Sequence, residues 1–282
     1  MTRHLPLLDA FRPQGAAMVD KSHEFALLVR LGYAARGMVY VLLGYLALSS
    51  AGRASAGPQA SFDFLQGVPL GSAVLYVTAV GLFAYALYKL IAALSDLEHK
   101  GTDAKGIAER AGYGASGLAH IALAWSAFQF AHGDKRSAGV DNSGEAAGTL
   151  LAWEMGAIVI GLVGLGFIAG AVFQGRSALT ASFMKTVGEG APPAVCWIGR
   201  MGHAARAVVF LVIGWSLVHT AWLGKGEEAK GLGSAIVSLR QNEALYMIVA
   251  LGLLMFGVFS LIVSRFRIIP DVSKRDLKPK WR

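Results

Sequence analysis

The sequence predicts an all-α, polytopic membrane protein of six transmembrane helices. They form three parallel two-helix repeats, with both chain ends on the cytoplasmic side. Three observations carry this: a segment that returns three times, apolar runs of spanning length, and Lys and Arg crowded into alternate connections. The chain has 282 residues, 55% hydrophobic and 16% charged, with a mean hydropathy of +0.51. Soluble domains carry charge on roughly a quarter of their residues, so this chain has too little polar surface to stay dissolved. Its 35 glycines fit helices that approach closely in lipid. A single cysteine, Cys196, excludes an internal disulfide and any multi-cysteine metal cluster. The net charge of +8 sits in loops and tails beside apolar spans, which points to a membrane surface as partner and not to nucleic acid.

In order along the chain, residues 1–24 are mixed and polar, with a short apolar patch broken by Pro6. That patch is too short for a signal-peptide core, so this stretch is expected to be a cytoplasmic tail. Repeat one covers 25–98, repeat two 105–185 and repeat three 195–268, and a basic tail covers 269–282. Residues 68–88, 111–131 and 244–264 are 21-residue runs without a formal charge, and 155–173 gives 19. At about 1.5 Å rise per residue they match a hydrocarbon core of roughly 30 Å. The first and fifth runs, 37–52 and 207–223, reach that length only if Arg36 and Arg206 lie inside the helices and snorkel. Backbone groups in lipid must be satisfied within the segment, so all six runs are expected as helices. Weakly amphipathic stretches at 62–65, 146–151 and 236–239 precede the second helix of each repeat, as short surface helices or loops.

Polarity follows from the basic residues. The amino-terminal tail, the second and fourth connections and the carboxy-terminal tail hold 17 Lys and Arg, against six in the other connections. The richer side is cytoplasmic, which gives an inner-membrane protein with both ends inside.

The repeated segment reads RLGYAARGMVYVLLGYLAL at 30–48, RAGYGASGLAHIALAWSAF at 110–128 and RMGHAARAVVFLVIGWSLV at 200–218. At 100° per residue, Gly37, Tyr40 and Gly44 fall on the Tyr33 face, as a helix–helix contact requires. The second helices align at Gly81, Gly166 and Gly252, and seven residues on at Tyr88, Phe173 and Phe259. The glycines expected to serve packing are Gly32, Gly37, Gly44, Gly81, Gly112, Gly117, Gly166, Gly170, Gly202, Gly214 and Gly252. Parallel repeats share an axis along the membrane normal, so a bundle of approximate three-fold character is expected. The thrice-repeated R-x-G-[YH]-x-A-x-[GA] pattern and its partner helices resemble the DUF1206 family of bacterial membrane proteins. The resemblance covers about residues 25–268. It implies a transmembrane helix pair occurring three times and supplies no catalytic residues. The second repeat departs most, with Ser116 in place of the arginine and His120 in place of an aromatic.

Arg36, Arg206 and Lys89 are the charges of interest, one or two turns inside the cytoplasmic face with no carboxylate at their depth. Either they snorkel as topology determinants, or they bind an anionic phospholipid headgroup, with Tyr40, Tyr85 and Tyr88 as added hydroxyl donors. No cofactor is expected. His120 and His203 lie at different depths and stand in aromatic columns, and the level pair His132 and His219 offers a metal only two ligands. The sequence has no P-loop, HExxH or GxSxG, and Ser116 beside His120 lacks an orienting acid. A non-enzymatic accessory bundle is therefore expected, bound to anionic lipid or to a membrane-protein partner. The rival is a channel or transporter for a small solute. Three paired repeats also resemble mitochondrial carriers, but their P-x-[DE]-x-x-[KR] signature is absent. An intramembrane carboxylate for ion coupling is absent too. The basic tail offers anionic lipid a further attraction.

Overall fold

A computed structural model describes residues 21–49, 54–135 and 143–269. Both tails fall largely outside the described residues, and so do Arg53 and Arg136. Six long helices alternate with three short ones: α1 (Lys21–Ser49), α2 (Pro58–Gln66), α3 (Gly71–Ser95), α4 (Ala104–His132), α5 (Ser143–Leu151), α6 (Gly156–Thr180), α7 (Val195–Leu223), α8 (Leu232–Ser238) and α9 (Glu243–Phe266). All the long helices except α4 are long and apolar enough to cross a membrane. α4 has the length, at 29 residues, but Ser116, His120, Ser126, Gln129 and His132 dilute its apolar run.

The amphipathic stretches are helical in α2 and α5, and the third runs from the end of α8 into the 3-10 turn Leu239–Gln241. α2 and α8 are inserted more deeply than surface helices, whereas α5 buries only Ala147. Phe62 and Ile236 are fully buried. The Phe62 ring meets Phe130 at 6.0 Å, and Ser61 Oγ donates to the Val39 carbonyl at 3.2 Å. The turn from α2 into α3 needs Gly71, because a Cβ there would stand 1.8 Å from the Leu65 carbonyl oxygen.

The long helices pack in the order α4, α3, α1, α9, α7, α6, each against the next. Three of these contacts join different repeats: α3 with α4, α6 with α7, and α9 with α1. All three carry the same two devices. The first is close approach at small residues. A Cβ on Gly117 would strike Leu90, one on Gly37 would strike Leu261, and one on Gly214 would strike Ile168, each at 2.7–2.8 Å.

The second device is the arginine that opens each repeat. Arg110 donates from Nε to the Ala93 carbonyl at 2.8 Å and from Nη2 to the Leu94 carbonyl at 3.1 Å. Arg200 donates from Nε to the Ala178 carbonyl at 2.9 Å and from Nη2 to the Leu179 carbonyl. Arg30 donates from Nη1 to the carbonyls of Ser264 and Arg265. Ala93, Ala178 and Ser264 are equivalent, and each lies in the last turn of its helix. The last four carbonyls of a helix lack intrahelical donors and sit at the negative end of its dipole. Each arginine therefore clamps the end of the preceding repeat's second helix. The third clamp joins the last repeat to the first.

Within a repeat the outcome differs. α1 packs on α3, where Gly81 faces Ala35, and α7 packs on α9, where Gly252 faces Ala205; an added Cβ would meet the alanine Cβ at 2.6 and 2.5 Å. In the second repeat α4 and α6 stand at opposite ends of the row and do not pack on one another. Gly112 and Gly166, expected at helix contacts, have nothing within 4 Å of an added Cβ. The reason is positional: their partner columns lie on the helix at the other end of the row.

Candidate functional site

The expected site residues converge where α1 and α7 meet α3 and α9. Arg36, on α1, is 8% exposed. Its Nη1 donates to Tyr85 Oη at 2.5 Å and its Nη2 to Ser260 Oγ at 2.9 Å. Its Cζ stands 4.7 Å from the Tyr33 ring, 4.9 Å from Tyr85 and 5.0 Å from Phe256. Arg206, on α7, lies 4.4 Å from the same Phe256 ring, 4.8 Å from Phe210 and 5.6 Å from Tyr40. One phenylalanine thus serves both guanidinium groups. Lys89 Nζ lies 4.0 Å from the Tyr113 ring, 5.4 Å from Tyr88 and 5.7 Å from Tyr85.

The charge balance of this cluster is lopsided. Among the described residues no carboxylate ion-pairs with Arg36, Lys89 or Arg206. A cation–π contact contributes about 0.5–2 kcal/mol, while removing an ion from water costs several kcal/mol. The aromatic lining therefore offsets only part of the cost. The Nε atoms of Arg36 and Arg206 are both buried without a hydrogen-bond partner. The cluster concentrates positive charge at two buried side chains and one half-buried one.

Arg206 lies 11 residues after the start of α7, which is about 16 Å along the helix axis. Exposed Trp197 and Trp222 mark the two ends of that helix.

Tyr88 belongs to a second network. Its hydroxyl donates to Glu98, and Arg267 Nη2 donates to Tyr88 Oη at 2.8 Å and to the Glu98 carboxylate. Arg267 Nη1 reaches Thr186 Oγ1 at 3.2 Å. Burial would push the Glu98 carboxyl up, but Arg267, then Lys89, hold it below its ordinary value of 4.5. For Arg267 burial acts against the charge, and the neighbouring Tyr33, Tyr88 and Glu98 more than restore it, so its affinity for the proton is raised. A short backbone pairing adds to this network: Gly188 N donates to the Phe266 carbonyl at 2.6 Å and Ile268 N to the Thr186 carbonyl at 3.0 Å.

The histidines are held separately. His120 Nδ1 is 2.7 Å from the Ser116 carbonyl oxygen, not from its hydroxyl, and the ring rests against Tyr85 at 4.6 Å. His203 Nδ1 is 2.5 Å from Gln174 Oε1, with its ring stacked on Phe183. His132 stacks on Phe128 beside Tyr76. α4 and α7 do not pack together, so the structure does not join His132 to His219.

Sequence reasoning missed Ser260, Phe256, Tyr33 and Tyr113 as site residues, and Glu98 and Arg267 as a pair. A signal for Ser260 exists: it stands eight residues after the aligned glycine of its repeat, in the column of Lys89 and Gln174.

Comparison with known proteins follows the same repeats. The family described as "Domain of Unknown Function (DUF1206)" matches residues 31–96, 111–181 and 201–267. A Bacillus subtilis (strain 168) protein, described as "Uncharacterized protein YxxB", is 31% identical over 243 residues, covering 83% of this chain and 88% of its own. No solved structure matches. With three matched repeats spread over most of its length, the chain is a member of the DUF1206 family.

Proposed function

We propose that the protein is a non-enzymatic bundle of the bacterial inner membrane that binds the anionic headgroup of a phospholipid at Arg36, Arg206 and Lys89. The observation that carries this reading is the gathering of two buried cations, Arg36 and Lys89, with the half-buried Arg206, two of the three having an unsatisfied guanidinium N–H and none an ion-pair partner among the described residues. Arginine offers a planar pair of donors suited to phosphate oxygens, and lysine adds a point charge. In this reading α4 also spans the bilayer, making six spans in three parallel repeats about an approximate three-fold axis, with both ends cytoplasmic. Reporter tags that place the two chain ends on opposite sides would overturn that topology.

The transport reading is less favoured because no carboxylate among the described residues stands with these cations to couple an ion.

Native mass spectrometry from mild detergent tests the binding. The wild type is expected to retain anionic phospholipid in preference to zwitterionic phospholipid. Arg36→Gln with Arg206→Gln should lower that retention by roughly tenfold, the effect of losing a charge-assisted hydrogen bond. Undiminished retention in the variant, with helix content intact by circular dichroism, overturns the proposal.

A further inference from the structure

The second repeat carries the same contact columns as its neighbours and leaves them uncovered. Ala35 and Ala205 are each 5% exposed, while their equivalent Ala115 is exposed. Gly81 and Gly252 are buried and Gly166 is exposed. Tyr88 is 1% exposed, Phe259 4% and Phe173 40%. The faces of α4 and α6 that would complete the third within-repeat contact are therefore uncovered and apolar, and they leave a seam within the second repeat at the two ends of the row of six helices.

The cation cluster meets this seam on its α4 and α7 side. Arg36, Lys89 and Tyr85 are buried toward α1, α3 and α9, whereas Ser116, His120 and Arg206 are half-buried. In the columns that place Arg36 on α1 and Arg206 on α7, α4 carries Ser116; where α1 has Tyr40, it carries His120. On the α4 wall of the seam this column thus has no arginine. An apolar slot leading to cations that have no ion-pair partner among the described residues is complementary to an amphiphile with an anionic head.

We infer that the seam between α4 and α6 holds the acyl chains of an anionic phospholipid that reaches Arg36 and Arg206 sideways from the bilayer. This rests on the headgroup site proposed above and adds the route and the ligand's pose. The charge pattern selects lipid over a second copy of the chain. The spanning parts of α4 and α6 carry no carboxylate: Glu109 lies in the opening turns of α4 and Glu154 precedes α6. A docked copy would therefore leave the cations uncompensated.

The test uses the full-length protein in nanodiscs containing phosphatidylglycerol with a photoactivatable diazirine midway along one acyl chain. Phosphatidylcholine bearing the same group is the control. Labelled peptides are mapped by mass spectrometry. With phosphatidylglycerol, labelling at Ala115, Leu118, Gly166 and Phe173 is expected to exceed that at Val77 and Val80, on the exposed face of α3, by roughly tenfold. Arg36→Gln with Arg206→Gln should remove the excess, and phosphatidylcholine should not show it. Three outcomes overturn the inference. Uniform labelling, while native mass spectrometry still shows arginine-dependent retention, leaves the headgroup site standing and removes the seam. Seam labelling that survives the double variant, or that phosphatidylcholine reproduces, makes the seam an apolar groove uncoupled from the charges. Disulfide dimers of Gly166→Cys in a Cys196→Ser background, with no seam labelling, assign the seam to a second copy.

Discussion

The contacts between repeats and the contact within the second repeat are built from the same residue types and end differently. Between repeats, three seams close alike, each with a small residue against the neighbouring helix and an arginine on that helix's last carbonyls. Within repeats one and three, Gly81 and Gly252 dock on alanine. In repeat two the matching pair, Gly166 and Ala115, stands open. Small residues permit close approach without enforcing it. What distinguishes the closed seams between repeats is the directional clamp, which gives a buried or half-buried cation a fixed acceptor. The second repeat also lacks the arginine at position 116 and the aromatic at 120, which elsewhere hold the interior together.

The clamps offer the severest way to break this contrast. Arg110 is 2% exposed, so Arg110→Ala leaves buried carbonyls without a donor and should cost about 3 kcal/mol. Arg200 is half-buried, and Arg200→Ala should cost about half as much, since water can replace part of the contact. Chemical denaturation in detergent micelles measures both. Equal losses would show that burial does not rank the clamps.

The glycine pairs sharpen the comparison at the next level. Gly81→Ala and Gly252→Ala each force a Cβ into an alanine Cβ and should destabilise by about 1–3 kcal/mol. Gly166→Ala meets open space and should be neutral or stabilising by up to about 1 kcal/mol, the difference in helix propensity. A Gly166 variant as damaged as the other two would mean that α4 and α6 close on one another in the membrane.

The smallest expected effect is on pH. Glu98 has a lowered value in the folded protein, so its pairing with Arg267 contributes fully above the ordinary carboxylate value of 4.5. That contribution fades as pH falls through the lower folded value. Thermal stability should therefore drop on acidification below 4.5 in the wild type and change less in Glu98→Gln.

Much of the fold was legible because lipid leaves a chain few options. Length, apolarity and backbone satisfaction marked out the long helices without reference to tertiary partners. α4 is the exception, since its histidines and serines lower its hydropathy while its helix persists. Similar depth along the helices was what grouped Arg36, Lys89, Arg206, Tyr40 and Tyr85 in the sequence, and tertiary packing brings them together. Tyr88 went elsewhere because Arg267, which follows the end of α9, is delivered to it by tertiary pairing with the 186–188 segment. The role of Arg30, Arg110 and Arg200 was hidden for a different reason. Their acceptors are backbone carbonyls, which no residue identity advertises. The open seam was hidden because Gly166 and Ala115 repeat the letters of the closed pairs, and only the neighbours decide the outcome.

The pairing of α1 with α9 sets a timetable for the newborn chain. Roughly 200 residues separate the two, so at ~5–20 residues per second the first helix inserts ~10–40 s before its main neighbour exists. Throughout that wait Arg36 has neither Ser260 to hold nor Phe256 to lie against. A side chain long enough to reach the water on its own makes such a pause survivable, which is a reason for an arginine to occupy that place.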